Sequence, residues 1–261
     1  MRIDRFCTQL QAGANVPTIT ESETGEISCP VSLPSNYVMP NIAPGTLVPA
    51  ARVILIEAPG AVGKSMAARA MAAMLGWPLV LSNRAQVGSY TLTGMLQDRM
   101  GFDSDFLPSL ARGETGIVID AIDEAHLRAG TNNLLAFLED VKRLTPPREA
   151  MASPSIIILG RVDAIDLVSL ALDEMNVPYD RQRLAYFGRR EATDFVREYL
   201  KLRADETGQP EYRTAQASPT PFEKLLNQRM QEVGSLLVPG VDVVNAWGTV
   251  EDFLGYAALR R

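Results

Sequence analysis

Short apolar runs alternate with amphipathic stretches through most of the chain. Apolar runs bounded by Gly, Pro or Ser are typical of strands. They predict strands at 52–57, 77–82, 116–120 and 155–160, and a candidate fifth strand at 183–187. Apolar residues at helical spacing predict helices at 63–75, 91–100, 104–112, 131–144, 163–175 and 191–202. Strands that alternate with helices predict an α/β fold with a mostly parallel sheet and helices on both faces.

Changes in composition divide the chain into four segments. Residues 1–48 are rich in Thr, Ser, Pro and Asn without sustained periodicity, and we expect an irregular lead-in. Residues 49–202 carry the alternating pattern and form the predicted α/β core. Residues 203–221 are polar and Pro-bearing, which is typical of a linker or long loop. Residues 222–261 contain two further helical stretches around Val238-Pro-Gly240.

Composition and charge exclude several classes of protein. The chain has 261 residues, 46% of them hydrophobic, which is enough for one large core and a small appended unit. A net charge of −6 without a long Lys/Arg run argues against a nucleic-acid surface. The sequence contains no run of 18 apolar residues, so no membrane span is predicted. Residues 1–20 do not resemble a secretory signal.

Cysteine and histidine are too few for most metal or disulfide chemistry. Cys7 and Cys29 have no metal-type spacing and do not indicate a disulfide framework, which suits the reducing cytoplasm. A single histidine, His126, excludes a site with several histidine ligands. A catalytic pair that needs a histidine could use only His126. A structural or surface role for His126 also fits its position near a helix start.

The strongest motif follows the first predicted strand. Ala58-Pro-Gly-Ala-Val-Gly-Lys-Ser65 fits a phosphate-binding loop with Ala in place of its first Gly, and an Ala-rich helix follows at once. Backbone N–H groups and the helix N-terminus would cradle phosphates, Lys64 would reach the outer phosphates, and the Ser65 hydroxyl would hold Mg²⁺. An ordinary Gly-rich turn before a core helix is the alternative. The predicted nucleotide-binding residues are Ala58, Pro59, Gly60, Ala61, Val62, Gly63, Lys64, Ser65 and Met66.

An acidic motif follows the third predicted strand. Asp120 ends the apolar run, so its carboxylate is expected at the carboxyl edge of the sheet, where it would hold the Mg²⁺ shared with Ser65. Asp123 and Glu124 lie just beyond, where either would orient an attacking water. The alternatives are a solvated acidic loop, or a register in which Asp123 holds the metal and Glu124 is the base. We prefer Asp120 for the metal because the apolar run stops there.

The motif Asp120-Ala-Ile-Asp-Glu124 resembles that of NACHT-type STAND NTPases, which belong to the AAA+-like branch of P-loop proteins. In that branch an additional strand separates the phosphate-loop strand from the acidic strand, and residues 77–82 can supply it. The fourth strand ends in Leu159-Gly160-Arg161, similar to a sensor strand whose Arg lies near the γ-phosphate. The segment 186–200 is similar to the start of the family's helical lid. The resemblance covers 52–202 and implies a three-layer P-loop NTPase core followed by a small helical lid.

The sequence departs from the family in several places. The phosphate loop begins with Ala58, and neither the winged-helix segment with its His nor sensing repeats can be found. We therefore expect the nucleotide-binding part of a longer protein, whose sensor or effector domains are missing here, or a minimal relative. A plain AAA+ ATPase also fits, because Asp123-Glu124 matches that family's acidic pair.

Further polar residues are candidates for nucleotide contacts. Some AAA+-like proteins place an arginine finger after the sensor strand, reaching a neighbour's γ-phosphate, and a solvated basic face is the alternative. The candidates for that role are Arg181, Arg183, Arg189 and Arg190. Asn83 and Arg84 follow the second strand at the same edge and would touch phosphate or adenine.

The resemblance implies Mg²⁺-dependent ATP binding and hydrolysis that drives a conformational or oligomeric switch, with ATP and ADP as ligands and self-association through nucleotide-dependent contacts. Lys64, Asp123, Glu124 and Arg161 are the candidate catalytic residues, and Ser65 and Asp120 the candidate metal ligands. The absence of an Asn-Lys-x-Asp guanine signature favours ATP over GTP. The alternatives are an AAA+ motor that remodels protein or nucleic acid, a small-molecule kinase, and a binding module without hydrolysis.

Overall fold

The computed structural model describes residues 1–10, 25–29, 32–33, 37–43, 51–59, 63–146, 154–185 and 194. Backbone contacts divide the chain into two compact units. Met1–Leu33 and Ile42–Ala185 form the first, and Pro34–Asn41 and Tyr186–Arg261 form the second. The helices predicted at 191–202 and within 222–261, and the linker at 203–221, lie outside the described residues apart from residue 194.

The first unit is an α/β structure built on a six-stranded sheet. Its strands are β1 (Ile27–Ser28), β2 (Val53–Glu57), β3 (Leu79–Leu81), β4 (Ile117–Asp120), β5 (Ile156–Gly160) and β6 (Tyr179–Arg183). Its helices are α1 (Ile3–Leu10), α2 (Lys64–Leu75), α3 (Thr91–Met100), α4 (Phe106–Arg112), α5 (Ile122–Ala129), α6 (Thr131–Leu144) and α7 (Val162–Glu174). The order across the sheet is β1-β3-β4-β5-β2-β6, and all neighbours are parallel except the β1–β3 pair. The predicted mostly parallel α/β sheet is confirmed.

Alternate residues of the central strands enter two separate cores, one on each face of the sheet. Val53 and Leu55 of β2 pack with residues of α3 to α7. Ile54 and Ile56 pack on the other face with residues of α1 and α2. Strands buried on both faces read as continuous apolar runs, which is why the central strands were predictable from sequence.

The predicted irregular lead-in over 1–48 is wrong for α1 and β1. Ile3, Phe6, Cys7 and Leu10 follow helical spacing, and all four are buried against α2 and the sheet. The pattern covers only two turns, too short for the sustained periodicity on which the prediction depended. The two residues of β1 pair with the outer edge of β3, which no local pattern indicates.

The strand order corrects the prediction of the additional strand. Residues 77–82, which contain β3, do not separate the phosphate-loop strand from the acidic strand. That place belongs to β5, which pairs with β2 on one side and β4 on the other. Strand order depends on packing between distant segments, so the order along the sequence does not reveal it.

The last strand is also shifted, from the predicted 183–187 to Tyr179–Arg183. This edge strand is polar, and Asp180 and Gln182 are buried while Arg181 and Arg183 face outward. The apolar residues after Arg183 gave a stronger local signal than the strand itself.

Candidate functional site

Parallel pairing brings the ends of β2, β4 and β5 to one edge of the sheet. Ala58 follows β2, Asp120 ends β4, and Arg161 follows β5. The Ala58 N–H donates to the Gly160 carbonyl at 3.0 Å, so the chain leaving β2 is fixed to the end of β5. The sheet edge therefore collects the residues that the sequence selected from three separate motifs.

The structure places both ends of the predicted phosphate loop. Ala58 is buried at the end of β2, and Gly63 adopts a left-handed φ of 77° directly before α2. Glycine suits this conformation because it has no Cβ to clash with the backbone. Gly60, Ala61 and Val62 lie outside the described residues. Of the remaining predicted nucleotide-binding residues, Ser65 and Met66 are exposed in the first turn of α2.

Lys64, Asp123 and Arg161 form one ion-pair cluster. The Lys64 Nζ lies 3.0 Å from each carboxylate oxygen of Asp123. The Arg161 Nε lies 3.1 Å from Asp123 Oδ2. The Asp123 side chain is 7% exposed and that of Lys64 14%, whereas that of Arg161 is 60% exposed. A carboxylate from α5 therefore holds the predicted loop lysine and the predicted sensor arginine together.

Asp120, at the end of β4, lies beside Ser65 of α2. The Ser65 hydroxyl lies close enough to the Asp120 carboxylate to lower its pKa through a hydrogen-bonding interaction. Burial raises the pKa of the Asp120 carboxyl, and the Ser65 hydrogen bond, the Ala121 N–H and the charge of Lys64 oppose that rise. Asp120 Oδ1 is fully buried and has no hydrogen-bond partner among the described residues. A hydroxyl next to a carboxylate oxygen with free acceptor capacity suits a hard cation such as Mg²⁺.

A sharp turn after β4 separates Asp120 from Asp123 and Glu124. Ala121 has a φ of 60°, an uncommon conformation for a residue with a Cβ, and α5 begins at the next residue. No separate helix was predicted at Ile122–Ala129, where α5 lies. Gly160 allows α5 to approach β5, because a Cβ there would lie 2.5 Å from Ile122 Cγ2.

Glu124 has different surroundings from Asp123. It is exposed, and Asn83 Nδ2 donates to its Oε2 at 2.9 Å. Asn83, a candidate for phosphate or adenine contact, thus contacts the acidic segment instead in this structure. His126 contacts its own neighbourhood, with Nε2 3.0 Å from Thr131 Oγ1.

Arg128 is a structural residue of this edge that the sequence analysis missed. Its guanidinium donates to the carbonyl of Ser82 at 3.0 Å and to the carbonyls of Asn83 and Ala85. It lies four residues after Glu124 on α5, so both side chains contact the turn that follows β3. Its place four residues beyond the acidic motif was visible in the sequence, but the turn that it contacts was not.

Two of the candidate finger arginines pair with a buried glutamate that the sequence analysis also missed. Arg181 Nε lies 2.7 Å from Glu57 Oε2, and Arg183 Nε lies 2.6 Å from Glu57 Oε1. Arg181 also pairs with Asp166 at 2.7 Å. The β2–β6 register brings these residues together, since Glu57 lies opposite Arg183. Arg189 and Arg190 lie outside the described residues.

Two searches among the described residues were negative. No group of three or more His, Cys, Asp and Glu side chains forms a candidate metal site there. None of the helices described is long and apolar enough to cross a membrane.

Comparison of the chain with protein-family models and with curated proteins found no match. The fold and the geometry of the sheet edge therefore carry the functional argument.

Proposed function

We propose that this chain binds ATP with Mg²⁺ and hydrolyses it, as a STAND- or AAA+-like P-loop NTPase that works as a nucleotide-controlled switch. The observation that carries the proposal is the position of Ser65, beside the buried Asp120 and directly after Lys64. These residues come from two distant motifs, and their types are those that a Mg²⁺-triphosphate requires. An ordinary Gly-rich turn would give no reason for this pairing.

The strand order supports the same proposal. β5 lies between the strand that leads into the loop and the strand that ends in Asp120. This arrangement is the one expected of the AAA+-like branch, and Arg161 follows β5 at the same edge of the sheet as Asp120. Arg161, 60% exposed, would approach the γ-phosphate from the end of that strand.

Each residue has a chemical role in the proposed reaction. Lys64 would neutralise charge on the outer phosphates, and Ser65 and Asp120 would hold Mg²⁺, which supplies further neutralisation when bound. A carboxylate would position the water that attacks the γ-phosphate. Glu124 fits this task better than Asp123, because Glu124 is exposed whereas Asp123 is buried in the first turn of α5.

The test measures ATP binding to the Lys64→Ala variant by titration calorimetry in the presence of Mg²⁺. Loss of the cation at the loop should remove tight triphosphate binding. The matched control is Lys142→Ala, which removes an exposed lysine from the far end of α6. Thermal melting of both variants must show that they are folded. Unchanged ATP affinity in folded Lys64→Ala would contradict the phosphate-loop assignment.

Single-turnover hydrolysis with and without added acceptors then separates an NTPase from a kinase. We expect release of inorganic phosphate without any acceptor. Transfer that depends on an added hydroxyl compound would replace the proposed hydrolysis by a kinase reaction. ATP binding without phosphate release would leave a binding module.

A further inference from the structure

Asp123 forms ion pairs with Lys64 and Arg161, the two cationic side chains that a terminal phosphate would need. Its two oxygens lie 3.0 Å from Lys64 Nζ, and Oδ2 also lies 3.1 Å from Arg161 Nε. A dianionic terminal phosphate group would accept hydrogen bonds from the same ammonium and guanidinium groups. The carboxylate and such a ligand therefore compete for the same partners.

The position of Asp123 makes this competition unavoidable. Its side chain is 7% exposed and lies in the first turn of α5, which β4 and Gly160 hold in place. If a ligand took Lys64 and Arg161, water could replace few of the interactions that Asp123 would lose. A buried carboxylate without a partner is costly in free energy. The neighbouring carboxylate of Asp120 interacts with the Ser65 hydroxyl, and the charge of Lys64 also lowers its pKa.

We propose that Asp123 is an internal counter-anion of the phosphate site, which a polyphosphate must displace from Lys64 and Arg161. Asp123 thereby sets the affinity and the charge selectivity of the site. Ligands with a highly charged terminal phosphate displace it, whereas weakly charged anions do not. The proposal rests on the proposed phosphate site but not on hydrolysis.

The first test is binding of inorganic tripolyphosphate to Asp123→Asn without divalent cations, measured by titration calorimetry. The amide keeps the size of the side chain and removes the charge that competes. We expect tripolyphosphate to bind about 10-fold more tightly than to the parent chain, which corresponds to about 1.4 kcal/mol. The ligand-free variant should melt at a lower temperature, because Lys64 and Arg161 lose their counter-charge, and tripolyphosphate should raise its melting temperature more than that of the parent.

The control is Asp163→Asn, which removes an exposed carboxylate two residues beyond Arg161. It changes the overall charge equally, so a similar gain in affinity in this variant would assign the effect to net charge and overturn the proposal. Equal or weaker tripolyphosphate binding by Asp123→Asn would also overturn it.

A second test uses the parent chain and does not depend on a folded variant. Carbodiimide labelling of carboxylates, read by mass spectrometry, should modify Asp123 faster once tripolyphosphate saturates the protein, because the ligand releases it from its two partners. Labelling of Asp163 serves as the internal reference. Unchanged or slower labelling of Asp123 would contradict displacement.

The outcomes separate this inference from the proposed function. Polyphosphate binding with the predicted Asp123 effects but without ATP hydrolysis supports the counter-anion and rejects the hydrolytic role. ATP hydrolysis with no effect of Asp123 on binding rejects the counter-anion alone. Binding of neither ATP nor tripolyphosphate to parent and variant rejects both.

Discussion

At the scale of single residues, two carboxylates of one short segment have opposite surroundings. Asp120 is buried next to Ser65, and burial raises the pKa of its carboxyl. Glu124 is exposed and accepts a hydrogen bond from Asn83. The left-handed turn at Ala121 produces this difference, because it ends β4 and starts α5 within two residues. Residues with such different environments are suited to different tasks.

This difference predicts that two substitutions separate binding from chemistry. Asp120→Ala should weaken Mg²⁺-dependent ATP binding, because Ser65 loses its partner for the metal. Glu124→Gln should bind ATP like the parent chain and hydrolyse it about 10²-fold more slowly or worse, because the amide does not accept a proton from water. Mg²⁺-dependent titration and single-turnover phosphate release measure the two effects.

The comparison of the two variants is its own control, since each removes one carboxylate from the same segment. Hydrolysis by Glu124→Gln at the parent rate would show that another group positions the water, with Asp123 the remaining carboxylate. Parent-like Mg²⁺ dependence in Asp120→Ala would remove Asp120 from the metal site.

At the scale of elements, α1 supports the helix that begins at Lys64. Phe6 and Ile3 are fully buried, and their core includes Met71 and Leu75 of α2. The N-terminal amino group also donates to the Ile42 carbonyl at 2.7 Å, which fixes the start of the segment. Displacing α1 would therefore expose one face of the helix on which the loop lysine is mounted.

We predict that Phe6→Ala lowers the free energy of unfolding by about 3–5 kcal/mol, as expected for loss of a buried phenyl group and the cavity that remains. Denaturant unfolding measures the change. Gln9→Ala is the matched control, because Gln9 is exposed on the same helix and should change stability little.

Cys7 provides an independent reading of the same prediction. Burial and the charge of Asp4 raise the pKa of its thiol to about 12, so little thiolate exists near neutral pH and alkylation should be slow in the parent chain. Faster alkylation of Cys7 in Phe6→Ala than in Gln9→Ala would indicate local release of α1. Equal, slow alkylation with unchanged stability would contradict the supporting role of this helix.

At the scale of the whole molecule, the arginines that follow β5 differ in how readily they would act in trans. Arg181 and Arg183 are paired with Glu57 within the same chain, across the β2–β6 edge. An arginine finger must leave its own chain to reach a neighbouring phosphate. These two residues would have to break charge-assisted pairs with a buried carboxylate to do so.

We predict that ATP favours an oligomer and that the hydrolysis rate per chain rises with protein concentration. An arginine supplied in trans can contribute about 10³- to 10⁵-fold in rate. Arg181→Ala and Arg183→Ala should mainly lower the melting temperature, by leaving Glu57 underpaired, whereas Arg189→Ala or Arg190→Ala should lower the rate without lowering ATP affinity. Sedimentation with ATP and with ADP measures the assembly.

Arg161→Ala is the comparison for these variants, because Arg161 would act on the nucleotide of its own chain rather than on that of a neighbour. Its effect should not depend on protein concentration. A rate that stays constant with concentration and does not change in any of the four variants would remove the trans-arginine idea and leave Arg161 as the remaining candidate near the γ-phosphate.

The sequence by itself determined the features that local physics controls. Central strands such as β2 and β5 are buried on both faces, so their apolar runs predicted them almost to the residue. The helix at Thr131–Leu144 was predicted with its full bounds, because its apolar stripe repeats over four turns. Lys64, Ser65 and Asp120 were selected from motifs whose residue types follow directly from phosphate and Mg²⁺ chemistry.

Only the tertiary structure decided which of these residues meet. Lys64 and Asp123 are 59 residues apart, and Glu57 and Arg183 are 126 apart, so strand register and helix docking bring them together rather than any local pattern. The same is true of β5 between β2 and β4, and of the polar edge strand β6, whose pairing partners stabilise it despite a weak apolar signal. A local sequence pattern reports which face of an element is buried, whereas contacts between distant segments depend on how the whole core packs.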